Sequence, residues 1–371
     1  MERNEIRILA LFSDVNFSPQ LIAILEELID RGVKVRVILI GSADMQIATQ
    51  IQVRGWDSKV ICKRGKFSSL FNLLFVAVEI FRFKPRTLFA SGQFATVLGV
   101  FSAKFLNVPH RIFIRHHSNF HHKFKMKLGL AIDRISNRWA TTIVAVSETV
   151  RNILILEELV NPNKILVIYN GVDLIKFKSQ DFKEVPIRDN ENPVLFHIGV
   201  VSRLTEWKGV QYTAKAFVRL QKEFPESRLH IVGAFADSYS DVERILLDAS
   251  SDTYTIDEIK TNIPEFLHEL DAFVHVPVGM EDEAFGIVYV EALSSGIACI
   301  FTKSGVLNEF DSLARYAQIV PYRDSEEIYQ SLKRIIQGKE VKRTPVPQSW
   351  LDQFSLNLMA NKYADLLLKV F

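Results

Sequence analysis

Short runs of apolar, β-branched residues alternate with segments of helical periodicity along the first half of the chain. The first run predicts a strand over residues 6–12, and apolar positions at helical spacing follow it over about residues 20–30. Further strands in this half are predicted over residues 33–40, 111–115, 142–146 and 165–168. Strands separated by amphipathic helices are typical of a parallel sheet covered by helices. We therefore predict an α/β fold.

The same rhythm restarts in the second half of the chain. Strands are predicted there over residues 194–198, 229–232, 272–276 and 298–301. Between the halves, residues 176–193 are polar and charged and include Pro186 and Pro193, which indicates a linker. A chain of 371 residues also exceeds what one core usually fills. We expect two similar domains, over residues 1–175 and 194–345.

Parallel sheets of this kind bind ligands beyond the carboxyl ends of their strands, so a cleft between two facing domains is the expected site. Neither half has a Gly-x-Gly-x-x-Gly turn after its first strand or a Gly-Lys-Ser/Thr phosphate loop, which disfavours nicotinamide and ATP chemistry. No Asp-x-Asp pair is present to hold a metal on a sugar nucleotide. We expect no metal and no other cofactor, so cationic side chains must hold any diphosphate.

The segment from Glu283 to Glu291 holds two carboxylates that flank Phe285, Gly286 and Ile287 and lead into a predicted helix. If the helix begins near Gly286, its free backbone N–H groups and positive dipole end suit a diphosphate. Gly286 lets the backbone approach a ligand closely. One carboxylate is then placed for a sugar and the other for a ribose. The alternative is an ordinary helix start with an acidic first turn and an apolar face.

A second element, residues 199–209, follows the first strand of the second half and carries Arg203 and Lys208. At the carboxyl end of that strand, a planar guanidinium and a compact ammonium would neutralise the charge that grows on a departing diphosphate. The alternative is a salt bridge within the loop among Arg203, Glu206 and Lys208.

In this order, the elements resemble those of the large retaining glycosyltransferase family typified by bacterial mannosyltransferases and plant sucrose synthases, the glycosyl transferases group 1. The resemblance is carried by residues 169–173, 202–209, 231–233, 283–291 and 292–296. It implies a GT-B fold, in which two Rossmann-like domains face each other across a cleft, with the donor bound mainly by the second domain and the acceptor mainly by the first. It also implies a last helix that crosses back to the first domain, for which residues 346–371 are the candidate, with an apolar face from residue 350 onward.

The same resemblance implies a role for each candidate of the second half. Arg203 and Lys208 would hold the donor diphosphate. Glu283 would bind hydroxyls of the donor sugar and Glu291 the ribose diol, since a carboxylate accepts two hydroxyl hydrogen bonds. Backbone contacts to the phosphate and sugar would come from Phe285, Gly286 and Ile287.

A histidine-rich segment, residues 116–122, ends a predicted strand of the first half. The family often has a histidine here that reaches the donor sugar, and we assign this role to His116, with His117 as a second candidate. Zinc binding by His116, His117, His121 and His122 is an alternative, but no carboxylate or cysteine is close in sequence. For His121 and His122 we favour a solvated basic loop. The residues implied for catalysis are then His116, Arg203, Lys208 and Glu283.

Two stretches depart from the family pattern. Residues 13–19, after the first strand, lack the glycines that the family usually has there, and Ser18 is the candidate that we retain from this loop. Residues 250–264, where the base would be recognised, match poorly, so the sequence does not identify the nucleotide.

Charge is distributed unevenly, although the net charge is only +2. Residues 59–138 contain fifteen Lys and Arg against Glu79 and Asp133, a balance of +13 that leaves −11 for the rest of the chain. The same stretch holds twelve phenylalanines, and basic surfaces interleaved with aromatic residues bind anionic lipid headgroups. The alternative is that most of these phenylalanines belong to the core. Without a recognition-helix or RNA-binding signature, we do not expect nucleic acid as a partner.

The expected location of the protein in the cell is inferred from the absence of targeting signals in the sequence. No apolar run reaches the ~20 residues of a spanning helix, and the chain enters its first strand without a secretory signal. Cys62 and Cys299 lack metal-ligand spacing, which argues against a disulfide framework or a structural zinc. We expect a cytoplasmic protein that attaches peripherally to an anionic membrane surface through residues 59–138.

Our leading hypothesis is a retaining, metal-independent glycosyltransferase. It would move a sugar from a nucleotide-diphosphate donor to a saccharide or lipid-linked acceptor in cell-surface polysaccharide or glycoconjugate synthesis. The glycine-free first loop keeps a second class open, a non-catalytic protein that binds sugar nucleotides. A phosphorylase or sugar-nucleotide epimerase of the same architecture is a third.

Overall fold

The computed structural model describes residues 5–42, 44–62, 68–118, 120–178, 195–233, 239–260, 262–310, 312, 315–338 and 346–369. The chain divides into two compact units. The first comprises Met1–Gly171 and Leu356–Phe371, and the second comprises Val172–Ser355. Each unit is built on one parallel sheet.

Seven parallel strands form the sheet of the first unit. They are β1 (Arg7–Ser13), β2 (Lys34–Ile40), β3 (Ser58–Ile61), β4 (Thr87–Ser91), β5 (His110–Arg115), β6 (Thr142–Ala145) and β7 (Ile165–Val167). Their order is β3-β2-β1-β4-β5-β6-β7, so the direction of strand addition reverses between β1 and β4. Both central strands are buried almost throughout, as expected for a sheet covered on both faces.

Helices connect these strands. They are α1 (Pro19–Asp30), α2 (Gln46–Val53), α3 (Ser68–Phe83), α4 (Gln93–Phe105), α5 (Phe120–Lys123), α6 (Lys127–Trp139) and α7 (Glu148–Leu156). Among the described residues we find no helix with the length and apolarity needed to span a bilayer.

The sheet of the second unit has six described strands, also parallel. They are β8 (Phe196–Val201), β9 (Ser227–Val232), β10 (Tyr254–Asp257), β11 (Ala272–His275), β12 (Ala298–Phe301) and β13 (Gln318–Ile319), in the order β10-β9-β8-β11-β12-β13. The reversal falls between β8 and β11. Its helices are α8 (Leu174–Phe177), α9 (Val210–Glu223), α10 (Tyr239–Leu246), α11 (Ile263–Glu269), α12 (Ile287–Ser295), α13 (Ser325–Ile336) and α14 (Gln348–Leu351).

The last helix, α15 (Leu356–Lys369), returns to the first unit and packs on α1. Arg31 of α1 donates to Asp365 (2.7 Å) and Asn361 (2.6 Å), and Tyr363 is buried against the ring of Phe89. The helix begins later than the sequence predicts. Residues 348–354 form α14 and a 3-10 turn in the second unit, because Ser355 is extended (φ −67°, ψ 143°) and interrupts the helix.

The boundary between the units lies at residues 171 and 172, four residues before the predicted end of the first domain. The reason is α8, which packs on α12 of the second unit. Most of the linker predicted over residues 176–193 lies outside the described residues, which resume at residue 195.

Every strand predicted from the sequence is present, with ends that differ by at most three residues. Four further strands, β3, β4, β10 and β13, were not predicted.

Candidate functional site

The loops after β8 and β11 meet at the reversal of strand order in the second unit, the place where parallel sheets of this kind bind ligands. The amide of Val278 donates to the carbonyl of Trp207 across them (3.0 Å). Gly209 has φ 75°, and a Cβ there would lie 1.9 Å from the carbonyl oxygen of Val276. Glycine therefore allows the two backbones to touch.

The side chains of Lys208, His275 and Glu283 connect these loops through one carboxylate oxygen of Glu283. Oε1 of Glu283 accepts from the ammonium of Lys208 and from Nε2 of His275 (2.8 Å). Lys208 also donates to the carbonyl of Asp282 (3.4 Å). All three side chains are about nine-tenths buried, with exposed fractions of 11 % for Lys208, 12 % for Glu283 and 3 % for His275. The predicted residues Lys208 and Glu283 thus lie in direct contact, and Lys208 pairs across the loops rather than with Glu206.

The surroundings of Glu283 keep its carboxylate ionised near neutral pH. Burial would raise the pKa of Glu283, but the charge of Lys208 and the hydrogen bond from His275 outweigh it and lower the pKa to about 2. Burial also lowers the pKa of His275, so its ring is neutral near pH 7. A neutral ring that donates through Nε2 has an unprotonated Nδ1. That atom is buried and has no hydrogen-bond partner in the described part of the chain.

The Glu283 loop is clamped by residues that sequence reasoning missed. Oγ of Ser304 accepts from the amide of Glu283 (3.1 Å) and donates to the carbonyl of Gly279 (2.7 Å). Gly305 has φ 54°, and a Cβ there would lie 2.6 Å from the carbonyl oxygen of Phe285. The Phe285 ring is buried against Phe354, so only its backbone is available to a ligand.

Helix α12 begins where the sequence predicts it. Gly286 is its N-cap residue with φ 83°, and it makes no side-chain cap. Ile287, Val288 and Glu291 form a half-exposed side of the helix, whereas Tyr289 and its neighbours are buried. The free N–H groups of the first turn therefore belong to an accessible helix end with a partial positive charge.

Glu291 lies one turn inside that end, on the same side as Ile287. Burial raises the pKa of Glu291 to about 7, and no described residue donates to its carboxylate. The two carboxylates that the sequence singled out are thus in opposite electrostatic environments.

Arg203 is on the same loop as Lys208, but its side chain is exposed. Its carbonyl accepts from the amide of Thr205 (2.9 Å) and from Oγ of Ser202 (3.3 Å). Within the described residues its guanidinium has no ion pair. The structure therefore orders the Arg203 backbone and leaves its charge available.

In the first unit, His116 follows β5 and is accessible to solvent. Its Nε2 lies 2.9 Å from Oγ of Ser91, at the end of the neighbouring strand β4. This bond positions the ring at the carboxyl edge of the first sheet.

The glycine-free loop after β1 is accommodated in two ways. Asp14 adopts φ 59°, a conformation that aspartate tolerates better than most residues. Gly92, after β4, supplies the close approach, because a Cβ there would lie 2.3 Å from the carbonyl oxygen of Ser13. Ser18 caps α1, with its Oγ accepting from the amide of Leu21 (3.2 Å). Its side chain therefore has a structural role.

His117 belongs to a different cluster. Its Nε2 lies 3.5 Å from Oδ2 of Asp133, which Nδ1 of His121 approaches to 2.6 Å. No carboxylate is close to these histidines in sequence, but α6 brings Asp133 to them in the fold. His121 is also buried rather than part of a solvated loop, while the side chain of His122 lies outside the described residues.

These three residues offer ligand atoms within 4.8 Å of one another. Arg115 lies 3.3 Å from Asp133 and opposes a cation there. Burial would raise the pKa of Asp133, but the hydrogen bond from His117 and the charge of Arg115 lower it to about 2.

Two parallel sheets, each with a strand-order reversal, define the class of protein. The fold is that of GT-B glycosyltransferases. HepE of Anabaena in complex with UDP and glucose superposes with a TM-score of 0.80 at 19 % identity, covering 98 % of this chain and 100 % of that one. A UDP-GlcNAc 2-epimerase from Neisseria meningitidis superposes with a TM-score of 0.63 at 14 % identity, covering 98 % and 100 %.

Sequence comparison gives the family. Residues 195–338 match the model of Glycosyl transferases group 1, and residues 20–176 match that of Glycosyltransferase Family 4. The chain is therefore a glycosyltransferase, with a Family 4 domain over residues 20–176 and a group 1 domain over residues 195–338.

Individual relatives match over part of their length. An uncharacterized glycosyltransferase of Methanocaldococcus jannaschii is 32 % identical over 47 % of this chain and 44 % of its own length. The capsular polysaccharide biosynthesis glycosyltransferase CapM of Staphylococcus aureus is 23 % identical over 75 % of this chain and 74 % of its own. The match thus spans less than half of the first of these proteins.

Substitution of Gly286 tests the geometry of the α12 start. A Cβ at this position would lie 2.4 Å from the Tyr289 ring, in addition to the strain of φ 83°. We expect Gly286→Ala to lower the free energy of unfolding by ~3 kcal/mol, from backbone strain and overpacking together. Gly338→Ala, with φ 67° and nothing within 4 Å, isolates the strain alone and should cost ~1 kcal/mol. Equal losses in urea titrations would contradict the packing around Gly286.

Proposed function

We propose that the protein is a retaining, metal-independent glycosyltransferase that uses a nucleotide-diphosphate sugar. The observation that carries this proposal is the Lys208–Glu283–His275 cluster, whose Glu283 lies in the loop that leads to the uncapped N-terminus of α12. The cluster offers an ammonium for a diphosphate and an ionised carboxylate for sugar hydroxyls. Glu291, one turn further on, is placed to accept a ribose diol.

The proposed reaction breaks the bond between the anomeric carbon and a diphosphate oxygen. The acceptor hydroxyl oxygen forms the new bond on the same face of the sugar, and its proton passes to the departing diphosphate. Lys208, Arg203 and the N–H groups of α12 would stabilise the negative charge that develops there. Glu283 would orient the sugar. No step requires a metal.

Relatives suggest the donor and acceptor to test first. Crystals of HepE hold UDP-glucose, so a uridine diphosphate sugar is the first donor. The name of CapM points to polysaccharide synthesis. We propose a saccharide or lipid-linked acceptor, met at the cytoplasmic face of a membrane.

Removal of either proposed phosphate-binding cation should abolish most of the activity. Loss of one donor to a developing anion typically costs ~10²-fold or more in kcat, which is the loss we expect for Lys208→Ala and for Arg203→Ala. Lys222→Ala, an exposed lysine of α9, is the matched control and should retain full activity. The measurement is release of nucleotide and formation of glycoside across a donor and acceptor panel.

The same assay separates the alternatives. Turnover of Lys208→Ala within a few fold of the parent, with an unchanged circular dichroism spectrum, would contradict the proposed role. An inverted anomeric configuration in early product NMR spectra would refute retention. Isomerisation of the donor without acceptor would favour an epimerase, and tight binding without any turnover would favour a non-catalytic protein.

Donor affinity should increase with pH through the titration of Glu291. Its pKa of about 7 means that the carboxylate is mostly protonated at lower pH. A diol donates hydrogen bonds to the ionised carboxylate, and the ionised fraction of Glu291 rises about tenfold from about pH 6 to about pH 8. The Kd for UDP-glucose should therefore fall by up to about tenfold over that range. Calorimetry of the parent and of Glu291→Gln checks this. A slope that persists in Glu291→Gln would assign the titration to another group.

A further inference from the structure

The outer face of α3, α4 and α6, together with residues 123–128, carries features that the proposed chemistry does not use. We propose that this surface, the α3–α6 face, binds an anionic lipid bilayer. The proposal deepens the proposed function, because a lipid-linked acceptor would be met at such a surface. It is tested without donor or acceptor, so either proposal can fail alone.

Helix α3 is apolar on its outward side as well as on its inward side, where Val76 and Ile80 are buried, which is unusual for a surface helix. Its polar residues Asn72 and Glu79 point inward and are buried. The outward side is apolar over about three turns and strongly exposed. Its side chains and exposed fractions are Leu70 (58 %), Phe71 (64 %), Leu74 (59 %), Val78 (45 %) and Phe81 (71 %).

This stripe continues onto the neighbouring helices. The connections from β3 through β6 all run in one direction across the sheet, which places α3, α4 and α6 on the same side of it. Helix α4 contacts both α3 and α6. Its exposed Phe105 packs against Phe101 (4.6 Å between ring centroids) and against Trp139 of α6 (5.7 Å). An exposed apolar surface of this extent indicates an interaction site.

Basic and apolar residues alternate directly before and within the start of α6. Residues 123–128 read Lys-Phe-Lys-Met-Lys-Leu, and all six side chains are exposed. Leu128 is 76 % exposed. Such a segment can insert its apolar side chains between lipid headgroups while its ammonium groups stay among the phosphates.

The surface has no negative charge to oppose anionic lipid. The two carboxylates between residues 68 and 138, Glu79 and Asp133, are both buried. Glu79 pairs with Lys59 (2.7 Å) and Arg36 (3.2 Å). The exposed charges of the three helices are all positive in the described residues, and they include Arg82, Lys104, Arg134 and Arg138.

The combination of exposed apolar side chains and positive charge favours a bilayer over other binding partners of this face. A second copy of the same face would bring like charges together, and nucleic acid would leave the apolar stripe in water. An anionic bilayer satisfies both features at once, because headgroup phosphates meet the basic residues and the apolar side chains enter the acyl boundary.

The test is co-sedimentation with vesicles of phosphatidylcholine and phosphatidylglycerol. The parent should bind, and binding should weaken as salt is raised. Lys125→Glu/Lys127→Glu should weaken binding at least about 25-fold, since each basic residue near the surface contributes about fivefold. Phe71→Ser/Leu74→Ser should weaken it about tenfold or more, because two exposed apolar anchors are lost.

Matched controls lie in the second unit. Lys222→Glu and Leu247→Ser change exposed residues of the same types and should bind as the parent does. The proposal would be overturned if the parent bound equally well to vesicles of phosphatidylcholine alone. It would also be overturned if the two double variants, in α3 and in residues 123–128, bound as well as the parent. A dimer in analytical ultracentrifugation that Phe71→Ser/Leu74→Ser dissociates would also overturn it, in favour of a second copy.

Discussion

The contact between Lys208 and Glu283 is the interaction on which the second unit's site depends. It joins loops that follow neighbouring strands but are separated by 75 residues in the chain. Burying an ion pair carries a desolvation cost that an apolar pair would avoid, so stability alone does not explain it. The hydrogen bond from His275 and the backbone clamp at Ser304 hold Glu283 in this one arrangement. The pair is best explained as a preorganised binding group.

The two carboxylates of the α12 segment illustrate how environment separates chemical roles. Glu283 sits beside a cation and has a pKa of about 2, whereas Glu291 is half-buried without one and has a pKa of about 7. Groups of one kind whose pKa values are driven apart commonly mark a functional site. Lys208 is already partly neutralised by Glu283, so among the described residues of this site the exposed Arg203 and the α12 N-terminus supply the unpaired positive charge.

The sequence predicted those features of the fold and of the site that depend on residues close together in the chain. Strands with continuous apolar runs were found from the sequence, while β3, β10 and β13 were missed because polar residues interrupt their short apolar stretches. The start of α12 was read from Gly286. By contrast, His275 and Asp133 gain their partners through the fold, and the sequence showed only a polar residue within an apolar strand and an acid within a basic helix. Gly92 likewise compensates for the missing loop glycines from a different strand.

The first unit places its charges in a way that composition cannot reveal. A strongly basic and aromatic stretch is compatible either with a phenylalanine core under a solvated surface or with an apolar surface. The structure distinguishes the two, because Phe83 and Phe113 are buried while Phe71, Phe81 and Phe105 are exposed. Asn72 and Glu79 are buried on the interior side of α3 together with apolar residues such as Phe83. Burying Glu79 has a desolvation cost, which Lys59 and Arg36 offset. The consequence is an outer face on which large apolar side chains meet the solvent and on which the exposed charges, in the described residues, are all positive. This is the composition that the proposed contact with an anionic bilayer requires.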